Sequence, residues 1–354
     1  MLYSVIMAGG RGERFWPLSR GDKPKQLLAL NSHKPLLLET IDRVSDLVPL
    51  ERTYIVAGEA LEQPIMKAVP GLARGHVLTE PLGRNTCMAI GLAAAEIGAR
   101  DPEAVLLVLS ADHRIEPAAR LREILAFGAE LAASEERLVT IGITPTRAET
   151  GYGYIEIGEV VARHGELVAS NVAGFKEKPE PSQAQVYYYG KRHLWNAGIF
   201  VWSARAIWNA LERHCPVHFR ALSACRKQPG SRACKEAAYA EVPDISIDFA
   251  VLEKADNVIT IKGDLVWDDV GSWLALDRLR GRDHEGNIKV GDAVSLDTAE
   301  TIIFNDAPGL IATLGVSDLV VVRSGQITFV AHKSRLGQIR NLIQKVAHDH
   351  PDMV

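Results

Sequence analysis

Cysteine is scarce, with four residues in 354, namely Cys87, Cys215, Cys225 and Cys234, and no CxxC spacing among them. That pattern excludes a dense disulfide framework and reads as free structural thiols, which suit a reducing, cytoplasmic compartment. Long apolar runs are also lacking. The stretch 104–109 is typical, strand-sized and far short of the roughly 20 residues that span a bilayer, so no membrane partner is expected. The beginning of the chain has no basic segment, and its apolar stretch 2–8 runs straight into glycines, unlike a secretory signal. Nor is positive charge in excess. Lysine and arginine number 40 against 44 aspartates and glutamates, a formal net charge of −4, which gives no overall attraction for nucleic acid. Any anion site must be local.

What is present is the composition of a globular chain, long enough for one large domain and a smaller one. Up to about residue 142, short β-branched runs alternate with helix-length amphipathic stretches, the pattern of βαβ units and a parallel sheet. Strands are expected at 3–7, 53–56, 76–79, 105–109 and 138–141. After Gly151 come glycine-bearing strands at 152–157 and 168–175, a helix at 182–189, a strand at 194–202, helices over 204–227 and a last sheet-like pass ending at Trp267. Beyond Arg282 the chain becomes short strands at 293–296, 301–304, 310–313, 319–322 and 328–331, then a helix from near Ser334. The expected fold is therefore α/β. A Rossmann-like, mostly parallel sheet flanked by helices fills 1–281, and a small, mostly β domain ending in a helix fills 282–354. A short left-handed β-helix is one form open to that second domain, although no strict repeat period is visible.

The most informative segment follows the first strand, where Gly9, Gly10 and Gly12 are interleaved with Arg11, Arg14 and Arg20. Open α/β sheets bind ligands at the carboxyl ends of their strands. Glycine lets backbone N–H groups approach phosphate oxygens, and arginine offers planar, charged forks to them. A P-loop is excluded because no Gly-Lys-Ser/Thr tripeptide follows, and a dinucleotide fingerprint fails because Phe15 stands where its third glycine belongs. A plain tight turn with solvated arginines would use the same residues. However, the cations from Arg11 to Lys25 repel one another unless an anion neutralises them.

The ordered series AGGRGERFWPLSR at 8–20, PKQ at 24–26, EPLGRNT at 80–86, SADH at 110–113, GYGYIE at 151–156, FKEKP at 175–179, WNAGIF at 195–200 and WDDVGSW at 267–273 resembles the bacterial mannose-1-phosphate guanylyltransferases within the sugar nucleotidyltransferases. The resemblance covers almost the whole chain. It departs at GRGER, where the family often has GSGTR, and at WNAG in place of WNSG. It implies transfer from GTP to mannose 1-phosphate, giving GDP-mannose and diphosphate. Another hexose or base, or a catalytically silent sugar-nucleotide sensor, are the alternatives. A phosphate monoester has a second pKa of about 6, so the attacking group is already mostly a dianion and needs no strong base. Positioning and charge neutralisation must then supply the catalysis.

On the same resemblance, magnesium falls to Asp112 and Asp269. Asp268 is the ambiguous neighbour, passed over because the family pattern is aspartate, one residue, then glycine. Arg14 and Lys25 are the expected triphosphate grips, with Arg20 and Lys23 left as surface charges. The nucleotide falls to Ala8, Gly9, Gly10, Gly12, Glu80, Pro81, Asn85 and Thr86. Glu80 can accept from guanine N1–H and its exocyclic amine, which adenine cannot satisfy, while Asn85 and Thr86 are equally good N-caps for the helix that follows. The sugar phosphate falls to Gly153, Glu177, Lys178 and Asn196. The segment after Arg282 is too short for the added isomerase domain of some relatives, so one activity is expected, and that segment is free either to cover the active site or to make a homodimer contact.

Overall fold

The computed structural model of the chain describes every residue other than Arg11, Asp22 and Glu135. Along the chain run β1 (Leu2–Met7), α1 (Leu36–Val44), β2 (Thr53–Gly58), α2 (Glu62–Ala68), β3 (Val77–Glu80), α3 (Asn85–Arg100), β4 (Val105–Ser110), β5 (Arg114–Glu116), α4 (Ala118–Ser134) and β6 (Leu138–Ile143). Next come β7 (Tyr154–His164), β8 (Leu167–Lys176), α5 (Pro181–Gly190), β9 (His193–Ser203), α6 (Ala204–His214), α7 (Pro216–Lys227), α8 (Arg232–Glu241), β10 (Val258–Gly263), β11 (Val266–Asp268) and α9 (Leu276–Leu279). The last are β12 (Ile288–Val290), β13 (Ala293–Leu296), β14 (Ile302–Asn305), β15 (Ile311–Leu314), β16 (Leu319–Ser324), β17 (Ile327–His332) and α10 (Ile339–Asp349). The contacts divide the chain into one compact unit of Met1–Gly9, Thr40–Ala111 and Ile115–Trp267, and another of Gly10–Glu39, Asp112–Arg114 and Asp268–Val354.

The first unit is built on a nine-stranded sheet in the order β3-β2-β1-β4-β9-β6-β10-β8-β7. Strands β3, β2, β1 and β4 are mutually parallel, as are β6 and β10, while β9 enters antiparallel between β4 and β6. The sheet is thus mostly parallel, as expected from the alternating pattern. Its central strands carry continuous apolar runs because both faces are covered. In β4 every residue from Val105 to Leu109 is buried. Helix α3 is buried from Cys87 to Gly98, and its run of alanines and glycines keeps it narrow enough to lie between sheet and helices. Phe200 and Trp202 of β9 stack 4.9 Å apart in that core, burying large apolar surfaces.

The second unit pairs β12, β14 and β16 in parallel, with β17 antiparallel on the outside, and pairs β13 with β15 in parallel. Ala293 faces Ile311, Ala299 faces Ser317 and Ile302 faces Val320, each pair 18 residues apart. The preceding step is shorter, with Ile288 facing Ile302 at 14 residues, so the coil carries stacked Ile288, Ile302 and Val320 without one strict period in the sequence. Ile302, Phe304, Val320 and Val322 bury against Phe15, Trp16 and Trp273. The final helix begins later than expected, since the stretch from Lys333 to Gln338 is a 3-10 segment and only then does α10 start. No helix among the described residues is long and apolar enough to cross a membrane.

Candidate functional site

The glycine and arginine turn leaves β1 at Met7 and passes from one unit to the other between Gly9 and Gly10. Arg11 lies outside the described residues. Gly12 has φ 65°, in the left-handed region, and an added Cβ would stand 2.3 Å from Lys25 Cβ, so both conformation and space demand glycine. The turn then tightens into a short 3-10 segment at Glu13–Phe15. Phe15 is wholly buried against Trp273, which explains the residue that breaks the dinucleotide fingerprint. Arg14 beside it is exposed and makes no side-chain hydrogen bond or ion pair with the described residues. Lys23 is exposed and pairs with Asp306, while Arg20 is half-buried.

Lys25 is buried, and its Nζ donates to Asp112 Oδ2 at 2.6 Å and to the Asp269 carbonyl at 2.9 Å. Two of its three N–H donors are therefore engaged. Burial works to raise the Asp112 carboxyl, but Lys25 and the adjacent His113 outweigh it and hold the group below the usual carboxylate range. Asp268 and Asp269 part company here. Asp268 is buried, forked by the Arg278 guanidinium and bonded to the Val270 N–H at 2.8 Å. Asp269 instead borders Val270, a β-branched residue held at φ 47°, a strained conformation of the kind that gathers at functional sites.

In the other unit, Glu80 ends β3 almost fully buried, with Gly9 near its Oε2 and the Tyr239 hydroxyl donating to its Oε1 at 3.0 Å. Burial pushes its carboxyl up to about 7, partly countered by the tyrosine donor. Ala8 is buried and Pro81 half-buried, while Gly10 borders open space. Asn85 and Thr86 do not serve as the N-caps their residue types suggest. The cap position of α3 is Arg84, which makes no side-chain cap and sends its Nε to the Tyr239 carbonyl. Asn85, at φ 62°, donates to Asp244, and the Thr86 hydroxyl accepts from the Ile247 N–H. Asn85 Oδ1 still accepts from the adjacent Thr86 N–H at 2.9 Å, but its amide and the Thr86 hydroxyl are both held by a loop far along the chain.

The four sugar-phosphate candidates lie together. An added Cβ on Gly153 would come 2.4 Å from Glu177 Oε2 and 3.3 Å from Asn196 Cβ. The Asn196 N–H donates to the Gly153 carbonyl at 2.8 Å, and Lys178 Nζ stands 3.3 Å from Glu177 Oε1. Asn196 Oδ1 accepts from Thr140 at 2.8 Å, and its Nδ2 donates to Asp248 Oδ1 at 2.9 Å. Burial, then the negative charge of Glu177, raises Asp248 to about 7, and burial raises Glu177 against the pull of Lys178. Sequence reading missed Tyr239, Thr140 and Asp248. Each is a common residue type whose partner is remote in sequence, and no local motif flags it.

The family model described as nucleotidyl transferase matches residues 3–284, and one described as MannoseP isomerase/GMP-like beta-helix domain matches 291–346. The chain is 34% identical to a mannose-1-phosphate guanylyltransferase of Escherichia coli K12 and 35% identical to one of Salmonella typhimurium LT2, in each case over 98% of this chain and 74% of the relative. A crystal structure from Thermus thermophilus, named as a mannose-1-phosphate geranyltransferase, superposes with a TM-score of 0.85 at 38% identity, covering 98% of this chain and 99% of that one. The chain belongs to the nucleotidyl transferase family and groups with its mannose-1-phosphate guanylyltransferase members.

Proposed function

We propose that the protein transfers GMP from GTP to mannose 1-phosphate, forming GDP-mannose and diphosphate. An oxygen of the sugar phosphate attacks the nucleotide α-phosphorus, the bond to the β-phosphate breaks, and diphosphate leaves with the electron pair. The observation that carries the base assignment is Glu80, a carboxyl buried at the end of β3 with one oxygen held by Tyr239. Such a group is costly to leave without donors, and guanine offers two where adenine offers none in that pattern.

The catalytic roles go to Arg14, whose exposed guanidinium suits a phosphate fork, and to Lys25, which organises Asp112 and Asp269. The sugar hydroxyls fall to Glu177 and Asn196 and the sugar phosphate to Lys178, with Gly153 leaving room for the ring. Ala8, Gly9, Gly10, Gly12, Pro81, Asn85 and Thr86 frame the nucleotide.

Members of this family generally use a divalent metal, and we take magnesium to be the ion. The residues fit a hard cation, because Asp112 is kept ionised by Lys25 and a second carboxylate is offered at Asp269, so Asp112 and Asp269 would hold it. When bound, it would neutralise phosphate charge. We assign 1–281 to the catalytic domain and 282–354 to a small β domain, a division supported by where the two family models end and begin. A homodimer built on the latter is part of the same proposal, as is a cytoplasmic location. The test is to incubate the chain with GTP, mannose 1-phosphate and magnesium and identify the product by mass. GDP-mannose with stoichiometric diphosphate is expected, and no turnover would favour a silent sensor.

A further inference from the structure

Outside the residues just described, Cys87, Cys215 and His218 converge. Cys87 Sγ lies 3.9 Å from Cys215 Sγ, Cys215 Sγ lies 3.0 Å from His218 Nδ1, and all three atoms fall within 4.8 Å of one another. They come from the first turn of α3, the residue capping α7 and the first turn of α7. We propose that these three side chains form a binding site for a zinc-class cation, with two sulfur ligands, one nitrogen ligand and a fourth position for water.

Three observations carry the assignment. With Zn–S bonds of about 2.3 Å, two thiolates at tetrahedral positions stand about 3.8 Å apart, close to the distance found, while His218 Nδ1, 3.0 Å from Cys215 Sγ, would draw back by about half an ångström to the sulfur–nitrogen spacing of such a site. The other ring nitrogen of His218, Nε2, lies 3.2 Å from the Pro243 carbonyl. That bond puts the ring proton on Nε2 and turns the Nδ1 lone pair toward the sulfurs, the usual outer support of a metal-bound histidine. Cys215 sits at the N-terminus of the 12-residue helix α7, where the helix dipole favours a thiolate. Soft sulfur with imidazole selects zinc over magnesium, so this cation is distinct from the one assigned to Asp112 and Asp269.

The site would clamp a segment important to the rest of the molecule. Besides the His218 bond to Pro243, the Cys87 N–H donates to the Ile245 carbonyl and the Ile247 N–H to Thr86. Residues 243–247 lead directly into Asp248, which holds Asn196. A cation joining α3 to α7 would therefore fix the stretch that runs between the Glu80 and Asn196 regions, independently of which nucleotide or sugar is bound.

The test uses the full chain, reduced and stripped of metal with a chelator, then titrated with cobalt(II) as a spectroscopic probe. One equivalent should produce the thiolate-to-cobalt charge-transfer band and the strong visible band of a four-coordinate ion, and one equivalent of zinc should abolish both. Cys215→Ser and Cys87→Ser should lose the charge-transfer intensity while keeping the far-ultraviolet circular dichroism of the parent, and Cys234→Ser should retain it. The titration of the unaltered chain does not depend on any variant folding. Absence of a thiolate band in that titration, or its survival in Cys215→Ser, overturns the proposal.

Discussion

Replacing Glu80 by glutamine removes an ionisation while keeping an oxygen for the Tyr239 hydroxyl. In the folded protein the Glu80 carboxyl titrates at about 7 against an ordinary 4.5, a gap worth about 3 kcal/mol. The direction follows from linkage. Below the ordinary value the group is neutral in both folded and unfolded chains and costs nothing. Between the two values only the unfolded chain ionises, so stability is lost as pH rises, and above about 7 the loss is complete. Glutamine has no such dependence. The variant should therefore gain stability relative to the parent as pH rises from about 5 to about 8, approaching ~3 kcal/mol. Asp248 titrates in the same range in both proteins and cancels from the comparison. Urea unfolding of the two proteins at both pH values measures the difference. Parallel stability profiles would refute the burial argument. A second reading uses ligands, because guanine needs the ionised carboxylate. The preference for GTP over ATP should strengthen through neutral pH in the parent and stay flat in Glu80→Gln.

Asp269→Asn should lose most turnover while remaining folded, and near-normal rates with magnesium would sink its assignment as a metal ligand. Lys25→Met deprives Asp112 of its cation and should cost about 2 kcal/mol near neutral pH. Because the folded Asp112 value is lowered, that cost should shrink as pH falls through it, and an equal cost at about pH 3 would contradict the pairing. Gly153→Ala places a Cβ 2.4 Å from Glu177 Oε2. Moving that carboxyl should raise KM for mannose 1-phosphate by about tenfold, the equivalent of ~1.4 kcal/mol, with KM for GTP little changed, and an unaltered sugar KM would count against the shared pocket.

The fold was legible where composition alone sets structure. Strand β4 is apolar at every position because both its faces are buried, and the five strands expected before residue 142 lie within two residues of those found. The sequence predicts a strand at 152–157, whereas β7 runs on to His164, because its outer half is exposed and lacks an apolar pattern. Among the candidate residues, sequence could name Glu80 and Asn196 but not their supports. Tyr239 reaches Glu80 across 159 residues, and Asp248 reaches Asn196 across 52. Asn85 and Thr86 differ from the expected caps for the same reason, because the Asn85 amide and the Thr86 hydroxyl also find partners at 244 and 247, which no local pattern shows. Local propensity reports short-range preferences, and these bonds are made by tertiary placement.

The guanylyltransferase assignment turns on which nucleotide the chain uses with mannose 1-phosphate. The most direct test measures diphosphate release with mannose 1-phosphate and magnesium, offering GTP, ATP, UTP and dTTP in turn. GTP should be used with a kcat/KM at least about a hundredfold above the others, the discrimination expected when a buried carboxylate is left unpaired. Equal use of all four nucleotides would contradict it.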